Sequence, residues 1–134
     1  LKKNEIKLKK IIKQFKKKKI RTSLFINPSL DDIKKSIELK TDCIEIHTGK
    51  LANLVKSKKD YSNEYEKIKR CSLLAKKNDL EVHAGHGLDY NTTKLLSKID
   101  EITEFNIGHF IIGESIFYSL PKVIRKFKDI LKKK

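Results

Sequence analysis

The sequence has few cysteines and no long apolar run, and each shortage narrows the class of protein. Cys43 and Cys71 are the two cysteines among 134 residues, so no disulfide framework is expected. Their apolar surroundings predict buried thiols in a reducing compartment. No run approaches the ~18 apolar residues that a membrane-spanning helix needs, so no membrane partner is expected. Leu1 is followed at once by Lys2 and Lys3, which argues against a secretory leader.

Arginine is also scarce, although the chain is strongly basic. The net charge is +15, from 32 basic and 17 acidic residues, but the arginines are only Arg21, Arg70 and Arg125. The lysines are spread over every predicted helix, which favours solvated helix faces and a general attraction for phosphates over a nucleic-acid groove. A basic nucleic-acid-binding module remains the alternative from another functional class.

Apolar periodicity predicts strands that alternate with helices. The chain opens with a helical stripe, and because it begins with Leu1 rather than Met we expect an N-terminal part to be missing from it. The predicted strands are 22–26, 43–47, 80–84 and 104–107. One predicted helix follows Ser29, which caps it, and a second spans 61–77. A third starts at Asn91 or Thr92, a fourth spans 110–118, and a fifth begins near Pro121. A polar loop is expected after Gly49.

This alternation predicts an α/β fold with parallel βαβ units. Four such strands form either a small doubly wound sheet or half of an eight-stranded barrel. A short additional helix after the last strand favours the (β/α)₈ TIM barrel, in which a phosphate site commonly forms at that point.

All four histidines lie at or beside the predicted strand ends, where parallel α/β folds place their active sites. His86 stands between Gly85 and Gly87, where an imidazole can transfer protons near neutral pH; the alternative is a loop histidine in a tight turn. His83, one pleat earlier, is interpreted as structural. His109 and the free N–H groups after Gly108 suit a phosphate; the alternative is a plain strand-to-helix turn.

Alternation along strand 43–47 places Glu45 in a barrel interior, with Ile44 and Ile46 packed under helices. A buried carboxylate needs a partner or a function, so Glu45 is a candidate catalytic residue; the alternative is a structural pair with a lysine. His47 shares this face, either as a functional or as a packing residue.

The sequence gives little support for a cofactor. His83 and His86 with distant His109 are weak evidence for a metal, because no cysteine is placed to complete a zinc set. Neither nucleotide-binding glycine motif is present. We expect no metal and no organic cofactor.

The segments SLFIN, IEIHTG, AGHGL-Y and NIGHFIIGE, in this order, resemble the pyridoxine 5′-phosphate synthase family from about residue 20 onward. The resemblance implies strands 5–8 of a TIM barrel, with residues 1–134 forming its C-terminal half. It implies condensation of 3-amino-2-oxopropyl phosphate with 1-deoxy-D-xylulose 5-phosphate, without a cofactor, in a cytoplasmic homo-octamer.

The same resemblance assigns roles to individual residues. It makes His86 the proton donor and Glu45 the residue that stabilises the transition state, and it makes Gly87, Gly108 and His109 binding residues for the aminoketone phosphate. The family usually has Asn at the position of His83, and it places two proton acceptors in the first four strands. Another phosphate-binding barrel enzyme and an inactive half-barrel used for assembly remain alternatives.

Overall fold

The computed structural model describes residues 4–132, so Leu1 to Lys3, on which the expectation about a leader rests, lie outside the described part. The strands are β1 (Ser23–Ile26), β2 (Cys43–His47), β3 (Glu81–Gly85) and β4 (Ile102–Asn106). The helices are α1 (Glu5–Lys17), α2 (Leu30–Leu39), α3 (Gly49–Lys56), α4 (Ser62–Lys76), α5 (Tyr90–Leu96), α6 (His109–Tyr118) and α7 (Leu120–Leu131). None of the described helices has both the length and the apolar character needed to cross a bilayer.

All four predicted strands are confirmed to within two residues, but the polar loop expected after Gly49 is wrong. That segment is helix α3, whose Leu51 and Ala52 are buried. The expected cap of α5 is also wrong, because Asp89 rather than Asn91 or Thr92 occupies the N-cap position. Ser29 does occupy the N-cap of α2, but its side chain makes no capping hydrogen bond.

The four strands form one parallel sheet in the order β1-β2-β3-β4. Alternate strand residues such as Ile44, Ile46 and Val82 join helix residues in a single apolar core. The other sheet face carries Glu45 and His83, which are outside that core. Helices therefore cover one face of the sheet, which is consistent with part of a TIM barrel; a doubly wound sheet has helices on both faces.

A bulge in β4 decides which of its side chains reach the polar face. Val82 pairs with Ile102, but the next β3 residue, His83, pairs with Glu104, so Thr103 is an extra residue in the ladder. Because the extra residue reverses the alternation, Ile102 stays in the core while Glu104 and the residues in phase with it turn to the polar face.

Both cysteines are free and buried, which confirms the prediction that they are packing residues. Cys43 begins β2, and Cys71 lies in α4 among the core residues. Burial raises the pKa of the Cys71 thiol to about 11, so this thiol remains protonated at neutral pH and behaves as an apolar side chain.

Candidate active site

The carboxyl ends of β2 and β3 bring two imidazole rings into contact. The ring centroids of His47 and His86 are 4.5 Å apart, and the rings are stacked at 26°. Phe25 of β1 lies beside both, at 5.3 Å from His47 and 6.3 Å from His86. The structure therefore brings together two of the four candidate histidines and adds a phenylalanine that the sequence did not suggest.

A left-handed turn presents His86. His86 and Gly87 both have φ of 77°, although only Gly87 is a residue that adopts this conformation readily. The backbone N–H of Thr48 donates to the Gly85 carbonyl at 2.9 Å, and the buried Thr48 hydroxyl lies 2.8 Å from the carbonyl oxygens of Gly85 and His86. The loop after β2 thus holds the turn that carries His86.

Glycine at position 49 makes room for the two rings. A Cβ added to Gly49 would lie 2.8 Å from atoms of both imidazoles, His47 Cε1 and His86 Cδ2. Gly49, after which the sequence predicts a polar loop, is instead the first residue of α3. Its lack of a side chain allows the helix to begin directly against the imidazole pair.

Glu45 is half-buried on the polar face and accepts a hydrogen bond from an amide, not from a lysine. Asn106 Nδ2 at the end of β4 donates to Glu45 Oε2 at 2.8 Å. Between them lies Gly85 of β3, and a Cβ at this position would overlap Glu45 Oε1. The lysine pairing that the sequence left open is therefore absent from the hydrogen bonds and ion pairs found within residues 4–132.

A cleft of about 420 Å³ lies between the turn that carries His86 and the start of α6. Its lining residues are His86, Gly87, Leu88, Asn106, Ile107, Gly108, His109 and Phe110. Within residues 4–132, the lining includes neither lysine nor arginine, so its histidines are the lining side chains that can carry positive charge, and backbone N–H groups can donate to an anion.

The N-terminus of α6 opens onto this cleft. Gly108 is the N-cap residue, and no side chain makes a capping hydrogen bond there. The first N–H groups of a helix have no partner within the helix, and a phosphate is well suited to accept from them. His109, the first residue of α6, lines the same cleft, but it is not part of the stacked ring cluster.

His83 points to a different group of side chains. Its Nε2 lies 2.9 Å from Glu81 Oε1, and its Nδ1 lies 3.5 Å from Glu104 Oε1. Hydrogen bonding to His83, followed by hydrogen bonding to Arg21, lowers the pKa of the Glu81 carboxyl. These contacts agree with the interpretation of His83 as a structural residue.

The sequence missed this group as a possible metal site. Glu81, His83 and Glu104 each offer a ligand atom within 4.8 Å of the others, and they are the only such group among the residues that the structure describes. The two ring nitrogens of His83 face different carboxylates, so a metal bound to one nitrogen would require the other carboxylate to turn. The site as it stands is arranged for hydrogen bonds, and the expectation of no metal stays a prediction.

Asn106 and Thr48 are polar residues near the site that stand in segments carrying the resemblance, but the sequence analysis gave neither of them a role. Thr48 had a usable signal, since it directly follows a strand-end histidine. Asn106 opens the segment NIGHFIIGE, but its contact with Glu45 could not be predicted, because the parity that directs it toward Glu45 depends on the bulge in β4.

Comparison with known proteins identifies relatives along nearly the whole chain. The model of the family described as pyridoxal phosphate biosynthesis protein PdxJ matches residues 1–133. A pyridoxine 5′-phosphate synthase of Pelagibacter ubique is 63% identical, over 98% of this chain and 55% of its own length. The enzyme of the same name from Sulfurihydrogenibium is 44% identical, over 92% of this chain and 50% of its own. The enzyme of that name from Campylobacter lari is 37% identical, over 97% of this chain and 60% of its own length. The chain therefore spans about half the length of the curated relatives that it matches.

Proposed function

The chain belongs to the PdxJ family of pyridoxal phosphate biosynthesis proteins, and from this membership we propose that it forms part of a pyridoxine 5′-phosphate synthase. The enzyme joins 3-amino-2-oxopropyl phosphate to 1-deoxy-D-xylulose 5-phosphate and releases pyridoxine 5′-phosphate, phosphate and water. The observation that carries the proposal is the cleft in which His86, a carboxylate-bound Asn106 and the uncapped start of α6 meet.

Each group has a role that its position supports. His86 is the proton donor, because its imidazole lines the cleft on an exposed turn and can exchange a proton near neutral pH. Glu45 stabilises positive charge in the transition state. Gly87, Gly108 and His109 bind the phosphate of the aminoketone through backbone N–H groups and an imidazole.

The chemistry consists mainly of proton transfers. The amine of one substrate and the ketone of the other form an imine, water and phosphate are eliminated, and an aldol-type step closes the ring. Each step moves a proton between carbon, nitrogen and oxygen, which suits histidine and glutamate side chains. Holding the phosphate at the start of α6 fixes the reacting atoms relative to His86, and this positioning supplies much of the rate.

The four strands are strands 5–8 of a (β/α)₈ barrel whose first half contributes two further proton acceptors. The sheet supports this assignment, because helices cover one face and polar side chains such as Glu45 and His83 occupy the other. The whole enzyme is a cytoplasmic homo-octamer that needs neither metal nor organic cofactor. Exposed apolar side chains on α6, among them Ile116 and Phe117, support an assembled state.

The decisive experiment replaces His86 by alanine in the full-length protein. Turnover should fall by at least about 100-fold, the contribution typical of a general acid, while the KM for the aminoketone phosphate changes little. The product is measured as pyridoxine 5′-phosphate formed from the two phosphorylated substrates.

His83→Asn is the matched control, because it removes a histidine of β3, the strand that leads to His86, and His83 does not line the cleft. Its turnover should stay within a few-fold of wild type. Unchanged turnover in His86→Ala would remove His86 as the proton donor, and no product from the wild-type protein would refute the synthase assignment.

A further inference from the structure

The carboxylate of Glu45 is held by residues of two other strands. Asn106 Nδ2 donates to Oε2 at 2.8 Å, and Gly85 leaves the space that Oε1 occupies. We infer that Asn106 is a positioning residue for Glu45, and that glycine is required at position 85 to let the two side chains meet. This inference rests on the proposed function, in which Glu45 acts on the reacting atoms.

The register of the sheet explains why both residues are needed. Glu45 pairs with His83, whereas Asn106 pairs with Gly85, so the hydrogen bond runs diagonally across β3 and one pleat toward the carboxyl edge. Strands β2 and β4 are separated by two strand spacings, about 9.6 Å. Glu45 spans much of that distance only by lying over the β3 backbone, where any larger residue than glycine would collide with it.

The bulge in β4 completes the arrangement. Without the extra residue Thr103, the alternation that buries Ile102 would direct Asn106 toward the core as well. Bulges near active sites commonly redirect a side chain in this way. The bulge therefore supplies Glu45 with a partner that the strand pattern alone would not provide.

An amide partner does two things that a lysine would not. It fixes one carboxylate oxygen through a hydrogen bond, and it leaves the negative charge of Glu45 unneutralised, because an amide carries no charge. Oε2 accepts this bond, and Oε1, which lies over Gly85, has no hydrogen-bond donor among residues 4–132. Titratable residues close to Glu45 in the sheet are His83, its pairing partner in β3, and His47, two residues along the same strand.

Two near-isosteric substitutions of Asn106 test the inference in the protein at its complete expressed length. Asn106→Leu removes the donor, and kcat should fall by about 100-fold, the loss associated with a displacement near 1 Å, with little change in KM. Asn106→Asp places two carboxylates in contact, and such a pair shares one proton until the pH rises far enough to remove it.

The two variants should differ in their pH profiles. While one proton is shared, Asn106→Asp keeps both the hydrogen bond and the single negative charge of the wild-type pair, so kcat should be within about tenfold of wild type on the acidic side. As pH rises the proton is lost, the carboxylates repel, and kcat should fall toward that of Asn106→Leu. The leucine variant should keep the wild-type pH profile of kcat at a lower level. If Asn106 had a merely structural role, the leucine and aspartate variants would have the same pH profile.

Gly85→Ala displaces Glu45 by a second route. The atom that collides with the new Cβ is the free end of a flexible side chain, so the fold should persist while the carboxylate moves. Its kcat should fall to a level similar to that of Asn106→Leu. Wild-type kcat and an unshifted pH profile in all three variants would overturn the inference.

A measurement that does not depend on turnover separates this inference from the proposed function. The carboxyl ¹³C signal of Glu45 should titrate together with that of the introduced aspartate in Asn106→Asp, and alone in wild type and in Asn106→Leu. If the wild-type protein forms no pyridoxine 5′-phosphate but this coupling is present, the synthase proposal fails and the positioning of Glu45 stands. Independent titration in Asn106→Asp overturns the positioning, whatever the activity.

Discussion

Helices α5 and α6 each follow a strand at the same edge of the sheet, but their N-termini are built in opposite ways. At α5 the Asp89 carboxylate accepts from the Thr92 N–H at 2.8 Å, and the Thr92 hydroxyl accepts from the Asp89 N–H at 2.8 Å. At α6 the N-cap residue is Gly108, which has no side chain to offer. The first N-terminus is capped by side chains of the protein, and the second has no side-chain cap.

The difference shows how a helix end becomes a binding site. Both ends carry the same partial positive charge and the same unpaired N–H groups before any cap forms. Asp89 and Thr92 satisfy two of those donors at α5, and the Asp89 carboxylate adds a negative charge that would repel an anion. The N-cap residue is therefore the feature that makes α6, rather than α5, the helix of the proposed phosphate site.

The largest expected effect comes from closing α6 in the same manner. Gly108→Asp introduces a cap and a negative charge at the proposed phosphate site, and the substitution fits because a Cβ there meets no atom within 4 Å. The KM for the aminoketone phosphate should rise by at least about 100-fold, while the helix gains only about 0.3 kcal/mol of stability, because glycine is itself a tolerated N-cap residue. Steady-state kinetics and thermal unfolding measure the two effects.

Gly113→Asp is the control for Gly108→Asp, because position 113 lies in the same helix and its Cβ likewise meets no atom within 4 Å. The same charge placed there, away from the helix start, should leave KM within a few-fold of wild type. If the two variants raise KM equally, net charge rather than the open helix end governs binding.

A smaller effect is expected from opening α5. Asp89→Ala removes the capping box, and the free energy of unfolding should fall by about 1 kcal/mol, with phosphate affinity unchanged. Chemical denaturation and titration with inorganic phosphate measure these quantities. A gain in phosphate binding at this variant would show that α5 can replace α6, contrary to the comparison.

The smallest effect should separate the charge of the cap from its hydrogen bond. Asp89→Asn keeps an oxygen that accepts from the Thr92 N–H but removes the negative charge at the helix start. The free energy of unfolding should fall by about 0.5 kcal/mol at low ionic strength, and the difference should shrink in high salt because salt screens it. A loss as large as that of Asp89→Ala would mean that the hydrogen bond is not retained.

Much of the fold follows directly from the sequence, because apolar periodicity and strand-end residues are local signals. The segment that forms β2 was predicted residue for residue, and the alternation along it placed Glu45 opposite Ile44 and Ile46 correctly. Helix α3 was missed because Thr48-Gly49 has the composition of a turn. Gly49 is instead required there by the two imidazoles packed against it.

The candidate site could be predicted only in part, because the sequence carries local signals and most of the contacts in the site are not local. Strand-end position made His86 a candidate and strand alternation made Glu45 one, but neither signal indicated the contacts that hold them. The Asn106–Glu45 bond joins residues 61 apart in sequence, and the link between His83 and Glu104 depends on one bulge. No local sequence pattern predicts either of these two contacts, because the register between strands is set by the packing of the whole sheet.

The sequence by itself determined the α/β class, the strands, the burial of both cysteines and the position of His47, His86 and His109 at the carboxyl ends of strands. Periodicity and residue type are enough for these, since each depends on near neighbours in the chain. Tertiary structure alone decided that His47 stacks on His86, that Asn106 rather than a lysine binds Glu45, and that α6 is open while α5 is closed. These depend on register, on one extra residue in β4 and on glycines whose missing side chains leave room for others.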